Sequence, residues 1–176
     1  MAKRLHDSGY SVLICTYPHS ELYQKASVHS IPVHTFRITN YSFLNPFIRN
    51  SLKKFFVRNK VSHLILNLPS DLKCAGLSAN QADVKNIIYR RGSAKPISNN
   101  FLNRFLFRKL VDQVIANSQQ TKNTILEKNK KLFPGDKIKV IYNGIEVGSY
   151  EKAIKKVNPA QVVLGTAGRL SPEKGH

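Results

Sequence analysis

The chain has 176 residues, 41% hydrophobic and 9% aromatic, a composition that specifies a packed core and excludes a disordered chain. Its 28 Lys and Arg against 10 Asp and Glu give a formal net charge of +18, which favours anionic partners: nucleic acid, an anionic membrane surface or phosphorylated substrates. Two cysteines, Cys15 and Cys74, and six histidines without zinc-binding spacing exclude a disulfide scaffold and a structural zinc site, and point to a reducing cytoplasm.

Taken in chain order, residues 2–8 read as the end of a helix, with Gly9 where a left-handed cap falls. The run "SVLICTY" at 11–17 is too short for a signal peptide, has no small-residue cleavage site, and reads as a buried strand. Further strands are expected at 31–38, 61–68, 85–90, 112–117, 138–143 and 161–165, most of them Val- and Ile-rich runs suited to strands covered on both faces. No apolar stretch approaches the about 20 residues of a membrane span.

Helical patterns lie between them. In "FLNPFIRNSLKKFFVRNK" the residues Leu44, Phe47, Ile48, Leu52, Phe55 and Phe56 keep helical spacing, and "NNFLNRFLFRKL" repeats the arrangement with Phe101, Leu102, Phe105, Leu106 and Phe107. "SQQTKNTILEKNKK" opens on Ser118 as N-cap. The alternation predicts an α/β fold, a Rossmann-like parallel sheet with helices on both faces, whose ligands sit at the carboxyl ends of the strands. Those ends are "NLPSD", "YRRG", "ANS" and "NG". The lysine-rich stretch at 146–161 predicts a boundary: a first domain over 1–150, a linker over 151–160 and the start of a second domain over 161–176.

The chain closes on "GTAGRLSPEKGH". Gly165 and Gly168 permit tight turns, and Ser171-Pro172 is a favoured helix start whose free N–H groups form an anion site. Arg169 and Lys174 flank that site, one able to grip phosphate bidentately and the other a mobile point charge, a pair suited to a diphosphate. A surface turn with two solvated cations fits the same residues.

"GRLSPEKG", preceded by "VIANSQQTKNTI" and "KIKVIYNGIE" in that order, resembles the retaining glycosyltransferases of family 4, which have the two-domain GT-B fold. The resemblance covers roughly the second half of the chain. It implies that Arg169 and Lys174, with Gly168, bind the diphosphate of a nucleotide-sugar, and that Asn117, Ser118, Asn143 and Gly144 approach the cleft. It also implies transfer of the sugar to an acceptor hydroxyl in cell-surface or lipopolysaccharide-type glycan synthesis, with no metal or other cofactor. The family's glycine-rich loop after its first strand would fall before Met1, and its paired-glutamate element beyond His176. The chain is therefore expected to be a fragment, inactive by itself.

Where many relatives end a strand with a histidine, this sequence has Arg90 and Arg91, which cannot serve as general bases because they stay protonated. Either could hold an acceptor phosphate or carboxylate; a basic strand end meeting solvent is the plainer reading. His19, His63 and His176 each have a structural explanation. The basic aromatic helices at 43–60 and 101–110 leave room for peripheral attachment to an anionic membrane. A basic nucleic-acid-binding α/β module stands as the competing class, although no nucleic-acid-binding signature is present. A truncated, inactive transferase is the third reading.

Overall fold

The protein is described by a computed structural model covering residues 1–144, within which Met1–Tyr142 form one compact unit. The expected linker, the strand at 161–165 and the block carrying Gly168, Arg169 and Lys174 lie outside the described residues.

Strands and helices alternate as the sequence patterns require. Helix α1 (Ala2–Asp7) leads to β1 (Ile14–Thr16), α2 (Glu21–Val28) to β2 (Val33–Thr35), and α3 (Pro46–Arg58) to β3 (His63–Leu66). After β3 come α4 (Pro69–Asp71), a π-helical turn (Leu72–Gly76) and α5 (Leu77–Asn80), then β4 (Asn86–Arg91). The series closes with α6 (Phe101–Lys109), β5 (Gln113–Ala116), α7 (Gln119–Leu126) and β6 (Ile138–Val140). All six strands expected before residue 144 are present, each shorter than or shifted by a residue from its apolar run, because strand length follows the paired ladder rather than the hydrophobic stretch.

Every pairing is parallel, but the strands form two sheets: β1 with β2, and β3-β4-β5-β6 in sequence order. Their cores are also separate. The larger joins Leu52 and Phe56 of α3, Leu66, Tyr89, Val114 and Ile138 of the four-stranded sheet, and Leu106 and Phe107 of α6. The smaller, among the described residues, has Ile14, Ala26 and Ile31 at its centre. Covering on both faces, expected of most strands, holds for β5, where Val114, Ile115 and Ala116 are all buried; in β1 Cys15 is exposed, and in β2 His34 and Thr35 are.

Four helix ends share one device. After α3, Lys60 N–H bonds Val57 C=O at 3.1 Å and Val61 N–H bonds Phe56 C=O at 3.0 Å, the paired bonds of a Schellman cap. The same pair closes α1, α2 and α5, at Gly9, Ser30 and Asp83. All four cap residues have positive φ, yet only Gly9 is the glycine that this conformation favours. Starts are capped by side chains: Ser20, Asn45, Asn100 and Ser118 each accept a backbone N–H from the first turn.

The helices α3 and α6 depart from the pattern read in the sequence. Leu52 and Phe56 are buried in α3, and Leu106 and Phe107 in α6, but Leu44, Phe47, Phe101 and Phe105 are exposed. Leu44 precedes α3, and Phe47, Phe101 and Phe105 lie outside the narrower stripe that faces the core.

Candidate functional site

In the four-stranded sheet β4 and β5 end at one level, and β3 ends two residues short of it. Leu66 pairs with Tyr89, and Arg91 with Ala116, so Asn67, Arg91 and Asn117 emerge along one edge of the sheet. The ladder then continues into the loops, with Asn117 N–H bonding Arg91 C=O at 3.2 Å.

Side chains converge across this edge. Arg90 and Arg91 are both half-buried. The Arg90 guanidinium reaches Asn67 Oδ1 at 3.5 Å. That of Arg91 donates to the Tyr89 hydroxyl at 3.4 Å and to the carbonyl of Lys95, bending the 92–96 loop back over the strand end. Its Nε is buried and, among the described residues, has no hydrogen-bond partner, leaving one donor of a fixed cation unsatisfied there. Asn117 Nδ2 donates to Gly92 C=O at 3.2 Å, tying the β4 and β5 loops together.

Ser118 is placed by its role as N-cap of α7. Its Oγ accepts Thr121 N–H at 3.1 Å and donates to Thr121 Oγ1 at 3.0 Å. Its hydroxyl is therefore engaged with its own helix, while Asn117 beside it faces the β4 loop. Asn143 and Gly144 are exposed and lie after the compact unit. Arg91 and Asn117 both reach the loop after β4, through Lys95 C=O and Gly92 C=O, while Arg90 reaches Asn67 at the β3 end.

Asp71 lies within the strand-end segment "NLPSD", which the sequence pointed to without singling it out. It follows the β3 end, half-buried, with its carboxylate accepting the Leu68 N–H at 3.1 Å. Burial raises its pKa above the ordinary carboxylate value, against the lowering effect of that bond and the Ser70 hydroxyl. Tyr89 is raised likewise by burial, with the Arg91 charge opposing. The signal in the sequence was the acidic residue closing a strand-end segment.

Chemically, this edge offers two guanidinium groups, carboxamides and a half-buried carboxyl group, a set suited to a hydroxyl-rich or anionic ligand. Among the described residues, no three His, Cys, Asp or Glu side chains are grouped to hold a metal ion. Cys15 and Cys74 are free thiols. His63 lies exposed in β3 against the Ser62 hydroxyl at 3.0 Å, and His19 is exposed just after β1.

A parallel α/β unit with its polar groups gathered at the strand ends defines a ligand-binding fold of the Rossmann-like class. The chain belongs to Glycosyltransferase Family 4, whose model matches residues 1–148. Among solved structures it is similar to HepE from Anabaena in complex with UDP-glucose, at 19% identity and a TM-score of 0.64, covering 90% of this chain and 41% of that one. A glycosyltransferase from Rickettsia africae is matched at 19% identity and a TM-score of 0.67, over 90% and 41% of the two chains. MurG from Acinetobacter baumannii follows at 17% identity and a TM-score of 0.58, over 82% and 40%. The chain thus spans about two fifths of the length of these structures. None of the curated proteins matches it.

Proposed function

We propose that this chain is the acceptor-side part of a retaining glycosyltransferase that moves a sugar from a nucleotide-sugar to an acceptor hydroxyl. The observation that carries the reading is the family match over residues 1–148, supported by the likeness of the fold to HepE, which binds UDP-glucose. In this reading residues 1–150 form the acceptor-side domain, 151–160 a linker, and 161–176 the start of the donor-side domain.

The donor diphosphate is assigned to Arg169 and Lys174, with Gly168 allowing close approach. Negative charge grows on the diphosphate as it departs, and fixed cations stabilise it more in the transition state than in the ground state. No metal is needed for that electrostatic role. Arg90, Arg91 and Asn117 are assigned to the acceptor, a phosphorylated or lipid-linked glycan of the lipopolysaccharide type met at the inner face of a membrane. Arg91 Nε, buried without a partner among the described residues, is the group an acceptor oxygen would satisfy.

Calorimetric titration of the chain, and of a version extended at both ends, with a panel of nucleotide-sugars tests the donor assignment. Binding that falls at least tenfold in Arg169→Ala and in Lys174→Ala is the expected result. Unchanged binding and turnover in the extended variants would overturn the diphosphate assignment. Tight, steeply salt-dependent binding of random DNA with no nucleotide affinity would replace it with nucleic-acid binding.

A further inference from the structure

The exposed side of α6 is built in an order that a solvated helix does not need. Phe101 is 78% exposed and Phe105 39% exposed, one helical turn apart, while Leu106 and Phe107 on the opposite side fill the core. Arg104, Arg108 and Lys109 are exposed among and beyond the two rings, and Lys131 joins them from the loop after α7. These six residues, with Asn99 and Asn129, line a groove of about 490 Å³, and none of the eight is acidic.

The groove is held in shape. Arg108 Nη2 donates to Lys131 C=O at 2.9 Å, and Asn129 Nδ2 donates to Asn99 Oδ1 at 2.9 Å, fastening the 129–131 loop to both α6 and the segment before it. Two phenyl rings exposed one turn apart and rimmed by cations form a patch of the kind that marks an interaction surface, where a single exposed ring would not.

We infer that this face of α6 docks the protein onto an anionic lipid bilayer, with Phe101 and Phe105 entering the interface and Arg104, Arg108, Lys109 and Lys131 meeting lipid phosphates. Charge complementarity argues for this occupant: rings interleaved with cations match a surface that is apolar within and phosphate-lined at its face. Nucleic acid offers the same combination only where its bases are unstacked. The inference deepens the membrane-side part of the proposed function by naming the surface, and its test needs neither donor nor acceptor, so it stands or falls apart from sugar transfer.

The 176-residue chain is floated with vesicles of phosphatidylcholine alone and of phosphatidylcholine with phosphatidylglycerol. Binding to the second only, weakening as salt rises, is expected. Reversing Arg104 and Lys109 to Glu should reduce it by about a hundredfold or more. Reversing Lys53 and Lys54 of α3, the same charge change elsewhere, should cost far less; an equal loss would overturn the proposal by showing that the overall +18 binds diffusely. The chain has no tryptophan, so Phe101→Trp supplies a single reporter whose emission should shift to the blue with anionic vesicles. No shift in a vesicle-bound variant would overturn insertion. A random single-stranded oligonucleotide that competes the vesicles away and is itself weakened by Phe101→Ser with Phe105→Ser would overturn the lipid assignment in favour of nucleic acid. Circular dichroism melts of each variant separate lost docking from lost folding.

Discussion

The Thr121 hydroxyl donates to Oδ1 of Asn117 at 2.8 Å, which turns the Asn117 amide nitrogen toward Gly92 and joins the loops after β4 and β5. Thr121 is buried, so this bond and the one from Ser118 are shielded from water. Thr121→Val keeps the shape but removes both; it should lower stability to urea by about 1–3 kcal/mol and leave Asn117 free to turn. Ser118→Ala, which removes the α7 cap, should cost about 1 kcal/mol, and the double variant less than the sum, since the two residues share one network.

Lys60 sits in the left-handed cap of α3 with φ of 49° and its side chain exposed. Lys60→Gly removes the steric cost of that conformation and should stabilise the chain by about 0.5–1 kcal/mol in thermal or urea unfolding. The same exchange at Lys53, in mid-helix, should destabilise by a similar amount.

Asp71 has its pKa raised by burial above the ordinary value of 3.8. The folded state therefore binds its proton more tightly than the unfolded state, and the associated stability is present below about pH 3.8 and lost as pH rises through the raised value. Asp71→Asn, which keeps an acceptor for the Leu68 N–H, should match the wild type in acid and exceed it at pH 7. Urea midpoints measured across that range check the sign; a variant weaker at pH 7 would show that the charged cap matters more than its burial.

Cys15 belongs to an exposed residue, yet burial around its thiol pushes its pKa up to about 11, and Cys74 is wholly buried. Iodoacetamide should modify Cys15 slowly at pH 8, with a rate rising roughly tenfold per pH unit toward pH 10. Cys74 should react only on unfolding, as counted by mass spectrometry.

The strand series was readable because Val- and Ile-rich runs returned at steady intervals, and α7 because Ser118 announces its start. Helix α2 and the 69–80 helical segment were not read. In the first, Ala26 alone is buried while Leu22 and Val28 are exposed, so no apolar stripe marks it. In the second, the buried residues after Leu72 are Cys74, Ala75, Gly76, Ser78 and Ala79, small groups chosen for close packing rather than for hydrophobic contrast. A Cβ on Gly76 would meet Leu72 Cδ1 at 3.3 Å, so a larger residue there requires Leu72 to give by a few tenths of an ångström. Three of the four left-handed caps carry Ser, Lys or Asp, so the helix ends had no glycine to mark them. At the candidate site, Arg90, Arg91 and Asn117 were named from strand ends alone; Asp71 lay inside the strand-end segment "NLPSD" but was not singled out, since its burial does not show in residue type.

The division into two hydrophobic centres sets unequal lifetimes for the two parts of the unit. With Ile14, Ala26 and Ile31 at its centre among the described residues, and the His34 ring against Phe55 as a tie to α3, the layer of β1, α2 and β2 has less to keep it shut once water enters than the larger core has. Its amides should exchange with deuterium through brief openings that leave Leu66, Tyr89 and Val114 protected until the whole chain unfolds. A partner that grips β1 and β2 would then slow exchange there first.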